Sequence, residues 1–284
     1  MREVRIIGMV REVWNLSLLE AKRVISSVRF LIGLLITFCG IYLTQGDLGA
    51  YLGKKELSIG ILELFPFTMS DPFMLMILLL IYTFMLCDVP FVHDGMDMEM
   101  IRTDWGRWLL SKVVTVIEIT ILWLIMIEAS IVIMQAGNCE WNNEWSVFIK
   151  TAARTGGRGI SQLNLSVSMD ICQTGTPVQA FLISYALNLL FYVLLAVSML
   201  TLNIMYKGRI GMVCAIVFEG IRYMNRAEWS SKFLRLLSPA DLVNLCDGGI
   251  QAAKLFYSFG YLIALTGVLL CFCHSYLKKN GVSV

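Results

Sequence analysis

Charge is scarce in this sequence. Only 15% of its 284 residues are Asp, Glu, Lys or Arg, while 57% are hydrophobic, against nearer a quarter and a half in soluble domains. That shortage excludes an ordinary soluble globular domain. The net charge of +2 is too small to imply a nucleic-acid partner, which takes a concentrated basic surface. Histidine is almost missing: His93 and His274 are the only two. They are too far apart for a His-x-x-x-His zinc spacing, and no Ser-His hydrolase pairing accompanies them. The eight cysteines lack any Cys-x-x-Cys pairing; Cys39, Cys87, Cys214, Cys271 and Cys273 sit in apolar runs and read as small apolar fillers. No secretory leader is expected, because Arg11 and Glu12 interrupt the short apolar stretch after Arg2, Glu3 and Arg5.

A nucleotide site is also missing. The run Gly49–Lys55, GAYLGKK, imitates a phosphate-binding loop, but that motif needs four residues between its glycines and Ser or Thr after its lysine. Here three residues separate Gly49 from Gly53, and Lys55 follows Lys54. Any active transport must draw its energy from another subunit or from an ion gradient.

What the chain has is apolar blocks of bilayer-crossing length, with a mean hydropathy of +0.72. They predict an all-α, polytopic membrane protein that forms one domain over residues 1–284, with six spans: Val24–Thr44, Pro72–Val92, Val113–Ala136, Val178–Tyr206, Ile210–Met224 and Leu255–Leu277. Residues 1–23 put Ile7, Val10, Trp14 and Leu18 at helical spacing among Lys22, Arg23 and other bases. That pattern predicts a helix lying in the membrane interface. Six spans put both termini on one side. Placing them in the cytoplasm of a plasma-membrane protein puts most of the 23 Lys and Arg beside span ends on that side, as the positive-inside rule asks.

The densest mixture of charge and aromatics is 88–112, on the same side. Asp88, His93, Asp94, Asp97, Glu99 and Asp104 read as a solvated acidic face rather than a metal site. Met98, Ile101, Trp105 and Leu109 then recur at steps of three and four, with Glu99, Arg102 and Asp104 mostly on other faces. This predicts an amphipathic helix that feeds the third span and can dock in a partner's groove. A connecting loop with a helical start fits the stretch equally well.

Ionisable residues inside spans are functional candidates, since each costs roughly 2.5–3.5 kcal/mol at a helix centre. Glu118 and Glu128 fall in the third span and Glu219 in the fifth, where Arg222 can pair with it; Glu128 is the deepest. The 137–176 loop carries Trp141 and Trp145 and is flanked by Cys139 and Cys172, which could form a disulfide in an oxidising compartment. Between the last two spans, 225–254 reads as an amphipathic or re-entrant outer segment, broken at Ser238-Pro239 with Asp241 at a second helix start.

This arrangement resembles the permease subunits of type 2 ATP-binding cassette transporters. The resemblance rests on Glu20, Lys22 and Arg23 before Ser26-Ser27-Val28-Arg29-Phe30, on the six spans, on Arg102, Gly106, Arg107, Trp108 and Lys112, and on Leu237-Ser238-Pro239. It implies an elbow helix at the N-terminus, with Trp14, Lys22 and Arg23, and a permease without catalysis or cofactor of its own. It also implies a second permease copy and a cytoplasmic ATPase that binds ATP and magnesium. That ATPase would dock through Met98, Glu99, Ile101, Arg102, Asp104 and Trp105. Glu118, Glu128 and Glu219 would be candidates for the substrate path. The long 137–176 loop departs from the family pattern, and its tryptophans favour an amphiphilic peptide or drug-like substrate. The competing expectation from another class is a membrane immunity or binding protein that sequesters a toxin without turnover.

Overall fold

The computed structural model describes residues 2–90, 104–155, 167–206, 210–225, 238–246 and 249–280, with side chains described outside 2–9 and 218–225. Helices dominate. Helix α1 (Arg2–Ile25) buries Val13, Ser17, Glu20, Ala21 and Val24, a stripe that recurs every third or fourth residue. Val10, Trp14 and Leu18, which flank that stripe, and Leu19 are exposed. So α1 has a face packed on the bundle and an exposed apolar flank beside it. Ser27 ends the break after α1 by accepting a hydrogen bond from the Phe30 amide, which caps α2 (Val28–Lys55).

Helix α2 corrects the sequence reading. The loop expected from residue 45 onward is helix, 28 residues unbroken to Lys55. Its buried stripe continues through Gln45, Leu48 and Leu52. Gly49 also lets the helix close on the end of α5 (Trp105–Met134), where an added Cβ would stand 2.9 Å from the Met134 carbonyl oxygen. Close packing outweighs the low helix propensity of glycine there. The helix stops at Glu56, whose left-handed backbone (φ 53°) caps it. The two-residue strand β1 (Ile59–Gly60) and the buried turn of helix α3 (Leu64–Thr68) follow.

Helix α4 (Pro72–Met85) begins on the Asp71 cap, with Pro72 at its first turn. It holds 14 residues, about 21 Å at 1.5 Å per residue, shorter than the span expected to reach Val92. Beyond Met85 the backbone turns and is held from outside the helix: Asn203 Nδ2 donates to the Val89 carbonyl at 2.6 Å. Helix α5 differs in the other direction. It starts at Trp105 and runs 30 residues without a break, so Trp105–Leu109 belong to the long helix itself. Trp108 is fully buried.

The 137–176 connection is structured. Strand β2 (Cys139–Glu140) pairs in parallel with β1, Ile59 opposite Cys139. Helices α6 (Val147–Thr155) and α7 (Met169–Thr174) follow. Helix α8 (Pro177–Tyr206) is the central post, with Phe191–Val197 wholly buried. It packs against α3, α5, α9 (Ile210–Asn225), α10 (Pro239–Val243) and α11 (Ala252–Asn280). The core between α4, α5 and α8 is aromatic and hydrogen-bonded. Tyr82 lies 4.7 Å from Tyr192 between ring centroids, and its hydroxyl meets Thr120 Oγ1 at 2.6 Å.

Among the described residues, α2, α5, α8 and α11 are long and apolar enough to cross a membrane. They mark the chain as a membrane protein. Of the other two expected spans, α4 is a shorter apolar helix and α9 holds 16 residues.

Candidate functional site

Two polar constellations lie at opposite ends of the helices. The first joins α1 to the start of α5. Glu20 and Lys112 form an ion pair closed to solvent, and Thr115 Oγ1 donates to the second Glu20 oxygen at 3.3 Å. The Lys112 ammonium also stands 5.2 Å from the centre of the Trp108 ring, within cation–π range. Nearby, Arg107 meets Glu12 at 3.2 Å and Ser17 Oγ donates to Glu118 Oε1 at 3.2 Å. Arg29, just inside α2, pairs with Asp88 beyond α4. The half-exposed pairs Glu12–Arg107 and Arg29–Asp88 contribute little, of order 0–1 kcal/mol each. The buried Glu20–Lys112 pair fixes how α1 lies on α5, because losing either partner strands a charge.

Asp104 is exposed at the first helical boundary of α5, and Trp105 is half-buried with its ring edge-on to Trp108. The other expected docking residues, Met98, Glu99, Ile101 and Arg102, lie outside the described residues, as do His93, Asp94 and Asp97. Trp14, Lys22 and Arg23 are exposed on α1. The α1 end therefore gathers α1, the start of α5 and, through His274, whose ring a Cβ added at Gly106 would meet at 3.6 Å, the end of α11.

The candidates for a substrate path do not converge. Glu118 is tied to Ser17 of α1, whereas both Glu128 oxygens are shielded and have no hydrogen-bond partner among the described residues. The two lie ten positions apart on α5, about 15 Å along the axis and on different faces. The side chain of Glu219 lies outside the description. An apolar cavity of about 230 Å³ opens elsewhere, between α8, α9, α10 and α11, lined by Phe191, Leu195, Ala215, Pro239 and Leu265. Phe191 and Leu265 each lie about 20 Å along their helices from the 177 and 252 ends. Pro239, at the Ser238-Pro239 break, reaches that depth.

The second constellation is at the strand end. Glu63, fully buried, accepts hydrogen bonds from the Ser146 amide at 2.6 Å and its hydroxyl at 2.7 Å. Burial raises its carboxyl above the ordinary value of 4.5, against those hydrogen bonds. Ser146 in turn accepts from the Ile149 amide at 3.3 Å, so Glu63 anchors the N-terminus of α6. Trp145 donates from Nε1 to the Gly175 carbonyl at 2.7 Å, which closes α6 and α7 over the bundle. Gln135 Nε2 reaches the Gln45 carbonyl at 3.3 Å, and Asn138 Nδ2 the Gly49 carbonyl at 3.1 Å; both stitch α2 to the end of α5.

The expected disulfide is not there: Cys139 and Cys172 are both free thiols. Cys139 is held in β2, with its Sγ turned to the Gln135 carbonyl at 3.4 Å. Cys172 sits in α7 close enough to Cys246 and Glu63 to feel their charge, and burial with those neighbours pushes its thiol up to about 11.

Sequence reasoning missed the Glu63–Ser146 anchor and the Asn203 bridge. The first joins residues 83 positions apart, with no local pattern to announce it. The second had a signal, an Asn within an apolar span. Asn203 accepts from the Gly211 amide at 2.8 Å while donating to Val89, so it ties α8 to the start of α9 and to the turn after α4.

No family model, no curated protein and no solved structure matches this chain.

Proposed function

We propose that the chain is the permease subunit of an ATP-driven transporter. A separate cytoplasmic ATPase binds ATP and magnesium, and a second permease copy completes the pathway in the cell membrane. The observation that carries this reading is the α1 end. There the exposed Asp104 and the half-buried Trp105 open a helix about 45 Å long, and the buried Glu20–Lys112 pair holds α1 against that helix. A push delivered at Asp104 and Trp105 moves α1 and α5 together, and α5 carries it to the strand end. In this reading the α1 end is cytoplasmic, the exposed apolar flank of α1 rests on lipid as an elbow helix, and α4 and α9 complete six crossings. In the same reading Pro239, at the start of α10, stands within the membrane; residues 226–237 of the outer segment lie outside the described residues. The chain supplies no catalysis; it exports an amphiphilic peptide or drug-like molecule.

The experiment is co-expression with the nucleotide-binding ATPases of the source organism, purification in lipid nanodiscs and native mass measurement. A defined complex with one ATPase is expected for the wild type and its loss for a variant carrying Arg102→Glu, Asp104→Lys and Trp105→Ala. An ATPase complex that survives those changes unaltered overturns the docking role. Sequestration of a toxin without turnover is the second reading, favoured by a cavity of about 300 Å³ beside β1, β2 and the start of α6; protection that persists when the ATPase is catalytically dead would select it.

A further inference from the structure

We propose that the cavity at the strand end binds an alkyl-guanidinium or alkyl-ammonium group carried on an amphiphilic molecule. The cavity measures about 300 Å³ and is walled by the end of α2, the β1–β2 pair and the first turn of α6. Among the described residues lining it, Glu56, Glu63, Glu140 and Glu144 face a single cation, Lys150. Lining carboxylates of one sign draw cations into a concave, partly desolvated space.

Two further features narrow the ligand. Among the described residues, no three carboxylate, thiol or imidazole groups come together as a metal site, and both oxygens of Glu63 are already engaged by Ser146. The carboxylates border a volume instead of meeting at a point, which suits an extended organic cation better than a metal ion. Apolar surface also continues outward from the rim. Val147 lines the cavity and is 74% exposed, so its side chain offers hydrocarbon surface at the mouth. Trp145 and Phe148, both buried, supply an aromatic wall behind it. Charge inside and apolar surface at the mouth fit a molecule that carries both.

The inference does not rest on the permease reading, and its test needs no ATPase. Full-length chain in nanodiscs of uncharged lipid is titrated calorimetrically with Nα-acetyl-arginine amide, with Nα-acetyl-Arg-Trp amide, with the uncharged Nα-acetyl-citrulline-Trp amide, and with calcium chloride. Arg-Trp amide should bind more tightly than arginine amide, citrulline-Trp amide should not bind, and added salt should weaken both arginine probes. The double variant Glu140→Gln/Glu144→Gln, which leaves Glu63 and its anchor intact, should weaken both about tenfold. Val147→Ser should reduce the advantage of Arg-Trp amide while sparing arginine amide. Failure of both arginine probes to bind wild type, equal binding to the double variant, or displacement of arginine amide by equimolar calcium would each overturn the proposal.

Discussion

Lys112 of α5 and Glu20 of α1 are joined in an ion pair that neither solvent nor the ends of their helices reach. The pair matters because its two partners behave differently when removed singly and together. Glu20→Met or Lys112→Met alone leaves one charge buried without its partner, a loss of about 3–5 kcal/mol. Replacing both together, Glu20→Met with Lys112→Met, takes both charges out of the interior and should cost less than either single change. Denaturation of the purified protein and its three variants in one detergent supplies the full double-mutant cycle.

Glu63 predicts a pH dependence at the other end. A carboxyl whose folded-state value is raised holds its proton more tightly folded than unfolded. Its contribution to stability is complete below the ordinary value of 4.5 and is lost as pH rises through the raised value. Glu63→Gln keeps a neutral polar group against Ser146 and cannot lose a proton. The melting temperature of Glu63→Gln minus that of wild type should therefore climb from pH 4 toward neutrality, and a flat difference would remove the claim. Glu63→Ala should lower stability at every pH by about 2–4 kcal/mol, since it leaves the Ser146 donors unpaired in a buried site.

Two glycines with equally little room should respond differently to alanine. At Gly211 a Cβ would stand 2.6 Å from the Met199 carbonyl and 2.8 Å from Asn203 Oδ1. Those atoms are fixed by helix α8 and by the Asn203 bridge, so Gly211→Ala must push α9 away and should cost about 1–3 kcal/mol. At Gly33 the nearest atom, at 2.6 Å, is the Met85 sulfur. A thioether at the end of a flexible chain can rotate aside, so Gly33→Ala should cost under about 1 kcal/mol. Thermal unfolding of the two variants beside wild type tests the contrast.

The long helices were legible because apolar blocks of fixed length have no other home than lipid. The sequence placed the ends of α8 and α11 within a few residues, at 178 and 206 and at 255 and 277 against Pro177–Tyr206 and Ala252–Asn280. Where local signals contradict packing, reading along the chain failed. Gly46, Asp47, Gly49 and Gly53 look like a loop, yet the run stays helical, with Gly49 and Gly53 packed against Met134, Gln135 and Asn138. Trp108 and Lys112 sit in the most charged interior stretch of the sequence, yet both are buried, and Lys112 is covered by α1. That covering depends on Glu20, 92 positions away, and no periodicity reports such a pairing. Glu128 was singled out from its depth in an apolar run, and it remains a carboxylate without a hydrogen-bond partner among the described residues.

The most direct measurement of the coupling claim places a photo-crosslinking amino acid at Trp105 in one preparation and at Trp141 in another. Each is co-expressed with the candidate ATPase and irradiated in membranes. The account predicts a crosslink to the ATPase from position 105 and none from position 141. A crosslink from 141, or none from 105 while the ATPase is present, would contradict it.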